Sequence, residues 1–141
     1  MEARTGIKGK ILIVDDNEGM RRFSYDILSL AGYEVQTAAN GYEALLSLED
    51  ESFDLVITDV EMGGLDGISL YRSAVESHPC LKESFIFMTG SMRGEVISAI
   101  RGLNKKCIMK PFRRRELLCH VDLHIAVNCN TLREMRTGPN A

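Results

Sequence analysis

A chain of 141 residues, 45% hydrophobic and 26% charged, suits one globular domain with a single core and excludes an intrinsically disordered polymer. Its net charge of −3 argues against generic nucleic-acid binding, which draws on clustered Lys and Arg; the basic cluster Arg113-Arg114-Arg115 reads as a solvated helix start. A polar N-terminus without an export signal, no apolar run near the roughly 20 residues of a membrane span, and four cysteines (Cys80, Cys107, Cys119, Cys129) without a CxxC pair predict a cytoplasmic protein with reduced thiols and no membrane contact.

Residues 1–9 read as an N-terminal extension, 10–127 as the folded domain and 128–141 as a C-terminal helix extension and tail. The domain opens on Ile11-Leu12-Ile13-Val14, a run apolar at every position, which predicts a strand covered on both faces. Met20, Phe23, Ile27, Leu30 and Ala31 then recur at helical spacing, with Arg21, Arg22 and Asp26 opposite them and Gly32 as the stop. Glu34 to Ala38 is a weaker strand candidate, followed by a helix over Gly41 to Leu48. Leu55-Val56-Ile57 is the third strand, and Gly67 to Glu76 the helix after it. Phe85-Ile86-Phe87-Met88 is the fourth strand, Gly94 to Leu103 a helix, Lys106 to Met109 a weak fifth strand, and Glu116 onward a last helix. A β-α unit repeated five times implies an α/β fold with a parallel doubly wound sheet and right-handed crossovers. Ligands of such folds bind beyond the carboxyl ends of the strands.

Those ends carry chemistry. Asp15 and Asp16 follow the first strand, Asp59 the third, Thr89 the fourth and Lys110 the fifth. Three clustered carboxylates repel one another, and a divalent cation relieves the conflict; Mg²⁺ favours oxygen ligands and retains waters. A carboxylate is also a nucleophile toward phosphorus, and Mg²⁺, Lys110 and Thr89 could each take one phosphoryl oxygen. Taken singly, each residue has a plainer reading: Asp15-Asp16-Asn17 as a helix cap, Thr89-Gly90-Ser91 as a turn, Lys110-Pro111 as a solvated lysine before a turn. Their recurrence at successive strand ends favours the joint reading.

With the motifs ILIVDDN (11–17), DLVITDVEMGGLDG (54–67), FIFMTGS (85–91) and IMKPF (108–112), the chain resembles the receiver domains of bacterial two-component response regulators from about Lys10 to about Val127. The resemblance implies a flavodoxin-like sheet of order 2-1-3-4-5 with five helices. It makes the chain a signalling switch rather than a metabolic enzyme, with a sensor histidine kinase or phosphotransfer protein as partner. Asp59 would accept a phosphoryl group from a phosphohistidine. Asp16 would ligate Mg²⁺ directly, Asp15 mostly through water, and the Glu61 backbone carbonyl would be a further ligand beside Asp59. Thr89 and Lys110 would hold the phosphoryl group, and the Lys110–Pro111 bond would be cis.

Three positions depart from the family's pattern. Met62-Gly63 stands for the usual Met-Pro, and with Gly64 should loosen the loop. Gly90 replaces the usual Ala after the switch Thr and should leave the site slightly more open. Cys107 occupies the place of the switch aromatic on the fifth strand, which it can fill only in part. Two rival functions draw on similar residues. A haloacid-dehalogenase-like phosphatase has its nucleophile after the first strand with an acid two residues on; Asp59-Val60-Glu61 has the spacing but follows the third strand. A pseudo-receiver would lack part of the acid set, which is complete here. Cys119, His120, His124 and Cys129 cluster in sequence but match no standard zinc spacing. Finally, Leu118, Val121, Ile125, Asn128, Leu132 and Met135 alternate spacings of three and four. The stretch from Leu117 to Ile125 is expected to pack on the sheet, whereas Leu132 and Met135 lie beyond a typical end of such a domain. The a/d-type seam there predicts weak self-association or a helix leading into an output domain rather than a frayed tail, ended by Thr137-Gly138-Pro139.

Overall fold

The computed structural model describes residues 6–91 and 93–136, with side chains to residue 127. The elements are β1 (Lys10–Val14), α1 (Glu18–Leu30), β2 (Glu34–Ala38), α2 (Gly41–Asp50), β3 (Leu55–Asp59), α3 (Gly67–Ser77), β4 (Phe85–Thr89), α4 (Gly94–Gly102), β5 (Lys106–Met109) and α5 (Arg114–Arg136). All strands are parallel, in the order β2-β1-β3-β4-β5, as the resemblance implies. A short 3₁₀ helix over Pro79–Glu83 has no counterpart in the sequence reading. Pro at its first turn and the buried Leu81 hold it, and a segment this short shows no period.

The apolar strands divide their side chains between two cores. Ile11, Ile13, Leu55, Ile57, Ile86 and Met88 face α1 and α5, meeting Ile27, Leu28, Leu117 and Val121. Leu12, Val14, Val56, Phe85 and Phe87 face α2, α3 and α4, meeting Ala44, Leu48, Leu70, Ala74 and Ile100. Each central strand is therefore apolar at consecutive positions, because alternate side chains enter different cores. The edge strands gave weaker signals for the same reason: β2 buries only Ala38, and β5 only Ile108.

Helix starts follow local chemistry. Asn17, Asn40 and Asp66 each accept from the backbone N–H three residues on, so capping does begin α1, α2 and α3. The last helix starts two residues before the expected Glu116, because Glu116 reaches back to the Arg113 N–H at 2.7 Å, one half of a capping box. Arg113, Arg114 and Arg115 are exposed there, as a solvated helix start requires. Gly32 ends α1 with φ +105°, a conformation suited to glycine. The buried face of α1 is rotated from the expected one: Ser24, Ile27 and Leu28 are buried, whereas Leu30 is 79% exposed, and Phe23 leans on Phe112 with ring centroids 5.9 Å apart.

On α5, Val121 is buried, and Leu118 and Ile125 pack partly on the same core. The first half of the seam thus belongs to the domain itself; the side chains of Asn128, Leu132 and Met135, and residues 137–139, lie outside the described residues. Among the described residues, no helix is long and apolar enough to cross a membrane.

One contact locks the strand bearing the central acid to the helix after it. The Gly67 N–H donates to the Val60 carbonyl at 2.9 Å, and a Cβ on Gly67 would stand 2.3 Å from the Asp59 carbonyl oxygen and 2.9 Å from Val60 Cα. Both are backbone atoms that cannot yield cheaply. Gly67→Ala is expected to cost about 2–3 kcal/mol, read by urea unfolding. A Cβ on Gly90 would meet only Lys110 Cβ, at 3.8 Å, so Gly90→Ala should stay within about 0.5 kcal/mol of the parent.

Candidate functional site

The register of the sheet sets the rim. Val14 pairs with Thr58, so Asp15 comes level with Asp59; Asp59 pairs with Met88, and Thr89 pairs with Met109. Asp15, Asp59, Thr89 and Lys110 therefore step across neighbouring strand ends, with Asp16 beside them. The sequence-predicted acids, hydroxyl and amine are all brought to one place.

Lys110 Nζ lies 2.9 Å from Asp15 Oδ2 and 3.2 Å from Asp59 Oδ2, bridging two carboxylates that are 0% and 7% exposed. Carboxylate oxygens of Asp15, Asp16 and Asp59 all lie within 4.8 Å of one another. Asp15 Oδ1 also accepts from the Asn17 N–H at 2.9 Å, and Asp59 Oδ1 from the Glu61 N–H at 3.4 Å. Asp16, by contrast, is exposed and accepts from the Gly63 N–H at 3.3 Å. Thr89 is fully buried, and its hydroxyl oxygen accepts from the Ser91 N–H at 3.0 Å. The Lys110–Pro111 peptide is cis.

Burial pushes the Asp59 carboxyl above the ordinary carboxylate value; Lys110 opposes that rise and Asp15 adds to it. Burial draws the Lys110 ammonium downward, but the hydrogen bonds and charges of Asp15 and Asp59 together outweigh it and leave the group above the ordinary lysine value. The pocket is thus short of positive charge: one ammonium serves two buried carboxylates, and an exposed third stands alongside. Three hard oxygen donors with unspent negative charge are a donor set that fits Mg²⁺. Among the described residues, this is the sole cluster of three such side chains able to hold a metal. Cys119 is free, and the Cys129 side chain lies outside the described residues.

Two arginines at the site escaped the sequence reading. Arg21 Nη1 donates to the Asp15 backbone carbonyl at 2.8 Å, fixing the acid loop from α1. Arg93 Nη2 lies 3.6 Å from Glu61 Oε2. Neither could be found from periodicity, since one recognises a carbonyl and the other spans two loops; the place of Arg21 four residues after the cap Asn17 was the only hint. Because the Glu61 carboxylate pairs with Arg93, the spacing Asp59-Val60-Glu61 acquires a use other than a second catalytic acid. Cys107 pairs in register with Phe87 and packs, partly buried, on the α2–α4 side of the sheet.

Comparison with known proteins agrees with this geometry. Residues 11–122 match the model of the response regulator receiver domain. The response regulator receiver protein CpdR of Brucella abortus is 37% identical over 115 residues, covering 80% of this chain and 93% of that protein. The CpxR homolog of Haemophilus influenzae is 36% identical over 79% of the chain, which spans only 48% of that relative's length. Among solved structures, the Vibrio cholerae chemotaxis protein CheY4 shares 30% identity with a TM-score of 0.74, covering 80% of this chain and 95% of that one. A receiver domain protein from Methanospirillum hungatei reaches 0.79 at 30% identity, covering 86% and 97%.

Proposed function

The chain belongs to the response regulator receiver domain family, and from that premise we propose that it is a phosphoacceptor switch in which Asp59 takes a phosphoryl group from a phosphohistidine of a sensor kinase or phosphotransfer protein in the cytoplasm. The observation that carries this reading is the Lys110 ammonium held between Asp15 and Asp59, with Asp16 and Thr89 at the same rim. An Asp59 carboxylate oxygen attacks phosphorus; the new O–P bond forms as the N–P bond breaks, and the electron pair leaves on the imidazole nitrogen of the donor. Lys110 is placed to exchange one carboxylate partner for a phosphoryl oxygen. The Thr89 hydroxyl, which accepts from Ser91 in the resting domain, still has a proton to donate. Asp15, Asp16, Asp59 and the Glu61 carbonyl would hold Mg²⁺, which supplies neutralising charge for the phosphoryl oxygens.

The switch regulates a partner or an output domain. The CpxR homolog and the sensor kinase/phosphatase CqsS of Vibrio cholerae, of which the chain spans 16%, carry the matching region within longer chains. Weak self-association through the end of α5 is the other route proposed here. Incubation with acetyl phosphate and Mg²⁺ followed by intact mass measurement tests the reading: the chain should gain one HPO₃ group, and no gain would refute it.

The two neighbouring acids should differ. Asp15 is committed to Lys110 and Asn17, whereas among the described residues Asp16 accepts only from the Gly63 amide. Asp16→Ala is expected to weaken Mg²⁺ binding by on the order of tenfold, about 1.4 kcal/mol, and Asp15→Ala by less. Metal titration followed by amide NMR shifts is the check; a larger loss from Asp15→Ala would reverse the two assignments.

A further inference from the structure

The loop between β4 and α4 is tied back to the acid pocket by contacts that the phosphoryl chemistry itself does not require. The Ser91 N–H donates to Thr89 Oγ1 at 3.0 Å, and the Arg93 N–H donates to Ser91 Oγ at 3.1 Å. The Arg93 guanidinium lies 3.6 Å from the Glu61 carboxylate and 3.3 Å from that of Glu95. The Glu61 N–H in turn donates to Asp59 Oδ1 at 3.4 Å. Thr89 and Asp59 end adjacent strands, so the contacts close into a ring around the mouth of the pocket. Arg93 occupies the cap position of α4 without a side-chain capping bond, and its side chain is committed to the two carboxylates instead.

Building on the reading of Asp59 as phosphoacceptor, we infer that Arg93 is a positioning residue of the switch: its pair with Glu61 closes a ring that fits the bare Asp59 carboxylate and holds the Thr89 loop in its resting arrangement. A phosphoryl group on Asp59 adds a bulky anion inside that ring and draws the Thr89 hydroxyl toward itself. The ring then gives way at its weakest link. That link is the Arg93–Glu61 pair, whose side chains are 64% and 45% exposed and whose attraction water screens. A contact made in one state only shifts the balance against the other, and the shift is reciprocal with ligand binding. The Arg93–Glu61 pair thus opposes activation, and its loss eases it.

Simpler accounts give different signs. If only local charge mattered, Arg93→Ala would disfavour an incoming anion and Glu61→Gln would favour it. If Arg93 served only to start α4, Glu61→Gln would change nothing. The test titrates beryllofluoride into the full chain at fixed saturating Mg²⁺ and follows the Gly90 amide by NMR. Arg93→Ala and Glu61→Gln should each lower the half-saturating concentration about two- to fivefold. The double variant should go no lower than the better single one, and Arg93→Lys, which keeps the pair, should stay close to the parent. Opposite signs, additive shifts, or no shift in either single variant would overturn the inference while leaving the phosphoacceptor reading intact. Failure of the parent chain to saturate at all would remove that reading and the inference together.

Discussion

Asp59→Asn is expected to abolish phosphoryl uptake from acetyl phosphate, with no added HPO₃ group detectable by intact mass under conditions that modify the parent fully. An amide is not a nucleophile toward phosphorus at neutral pH, and among the described residues Asp15 is the only other carboxylate bonded to Lys110. Asp15, also bonded to Lys110, is the group most able to substitute, but its second oxygen is held by the Asn17 N–H. Uptake by the variant equal to that of the parent would sink the assignment. The variant should nonetheless fold. In the metal-free parent, burial holds the Asp59 carboxyl above its ordinary value, so the folded chain binds that proton more tightly than the unfolded chain. The sign follows: stability is greatest at the acid end of the window between the unfolded and the raised folded values, and falls as pH rises through it. Asn removes the titrating group, and urea melts of Asp59→Asn in chelator should lack this downward component. A slope identical to that of the parent would show that other carboxylates carry it.

Lys110→Ala should have the largest effect on stability of any single change at the site, and the effect should depend on metal. The ammonium is the sole cation bonded to both Asp15 and Asp59 among the described residues, and all three side chains are mostly buried. Removing one member of such a cluster leaves the rest uncompensated, at a cost of roughly 3 kcal/mol. Melts in chelator should show that loss, and millimolar Mg²⁺ should restore much of it, because a ligand bound only by the folded state stabilises by mass action. A loss equal with and without Mg²⁺ would mean that the metal and Lys110 do not share the same carboxylates. Phosphorylation itself should persist in part, but its effect on the Thr89 loop should fade. With nothing to hold the phosphoryl group in place, the amide exchange response from Gly90 to Gly102 under beryllofluoride is expected to be weak. A full response would contradict the role given to Lys110.

The central strands and the acid rim were legible in the chain for one physical reason. A strand buried on both faces must be apolar at nearly every position, so the first polar residue after Val14 or Met88 marks the strand's exit into the site, whereas Lys110 follows an edge strand that buries only Ile108 and was placed by the β-α repeat. Asp59 needed the pattern of the whole, since polar Thr58 precedes it inside the strand and is itself buried. What could not be read were interactions set by three-dimensional closure. The exposure of Leu30 depends on how α1 is rotated about its axis, and the same apolar stripe serves two neighbouring rotations equally well in one dimension. The first part of the seam on α5 was legible as core, since Leu118, Val121 and Ile125 satisfy the spacing of a coiled coil while packing on their own sheet. Arg21 and Arg93 were invisible because a backbone carbonyl and a loop carboxylate have no sequence signature.

The glycine that stands where the family usually has proline was expected to loosen the loop after Asp59, and Gly64 beside it does take φ +78°. Yet Gly63 supplies what proline never can. Its amide hydrogen points to Asp16, and a pyrrolidine ring has no hydrogen there to give. The exchange of a stiff residue for a supple one is therefore also the gain of a tether, fastened to the acid least committed elsewhere. Whatever alters the charge on Asp16, a cation above all, is felt directly by the chain at Gly63. If Asp16 holds a metal as proposed, the loop at Gly63 would register that charge before any phosphoryl group arrived.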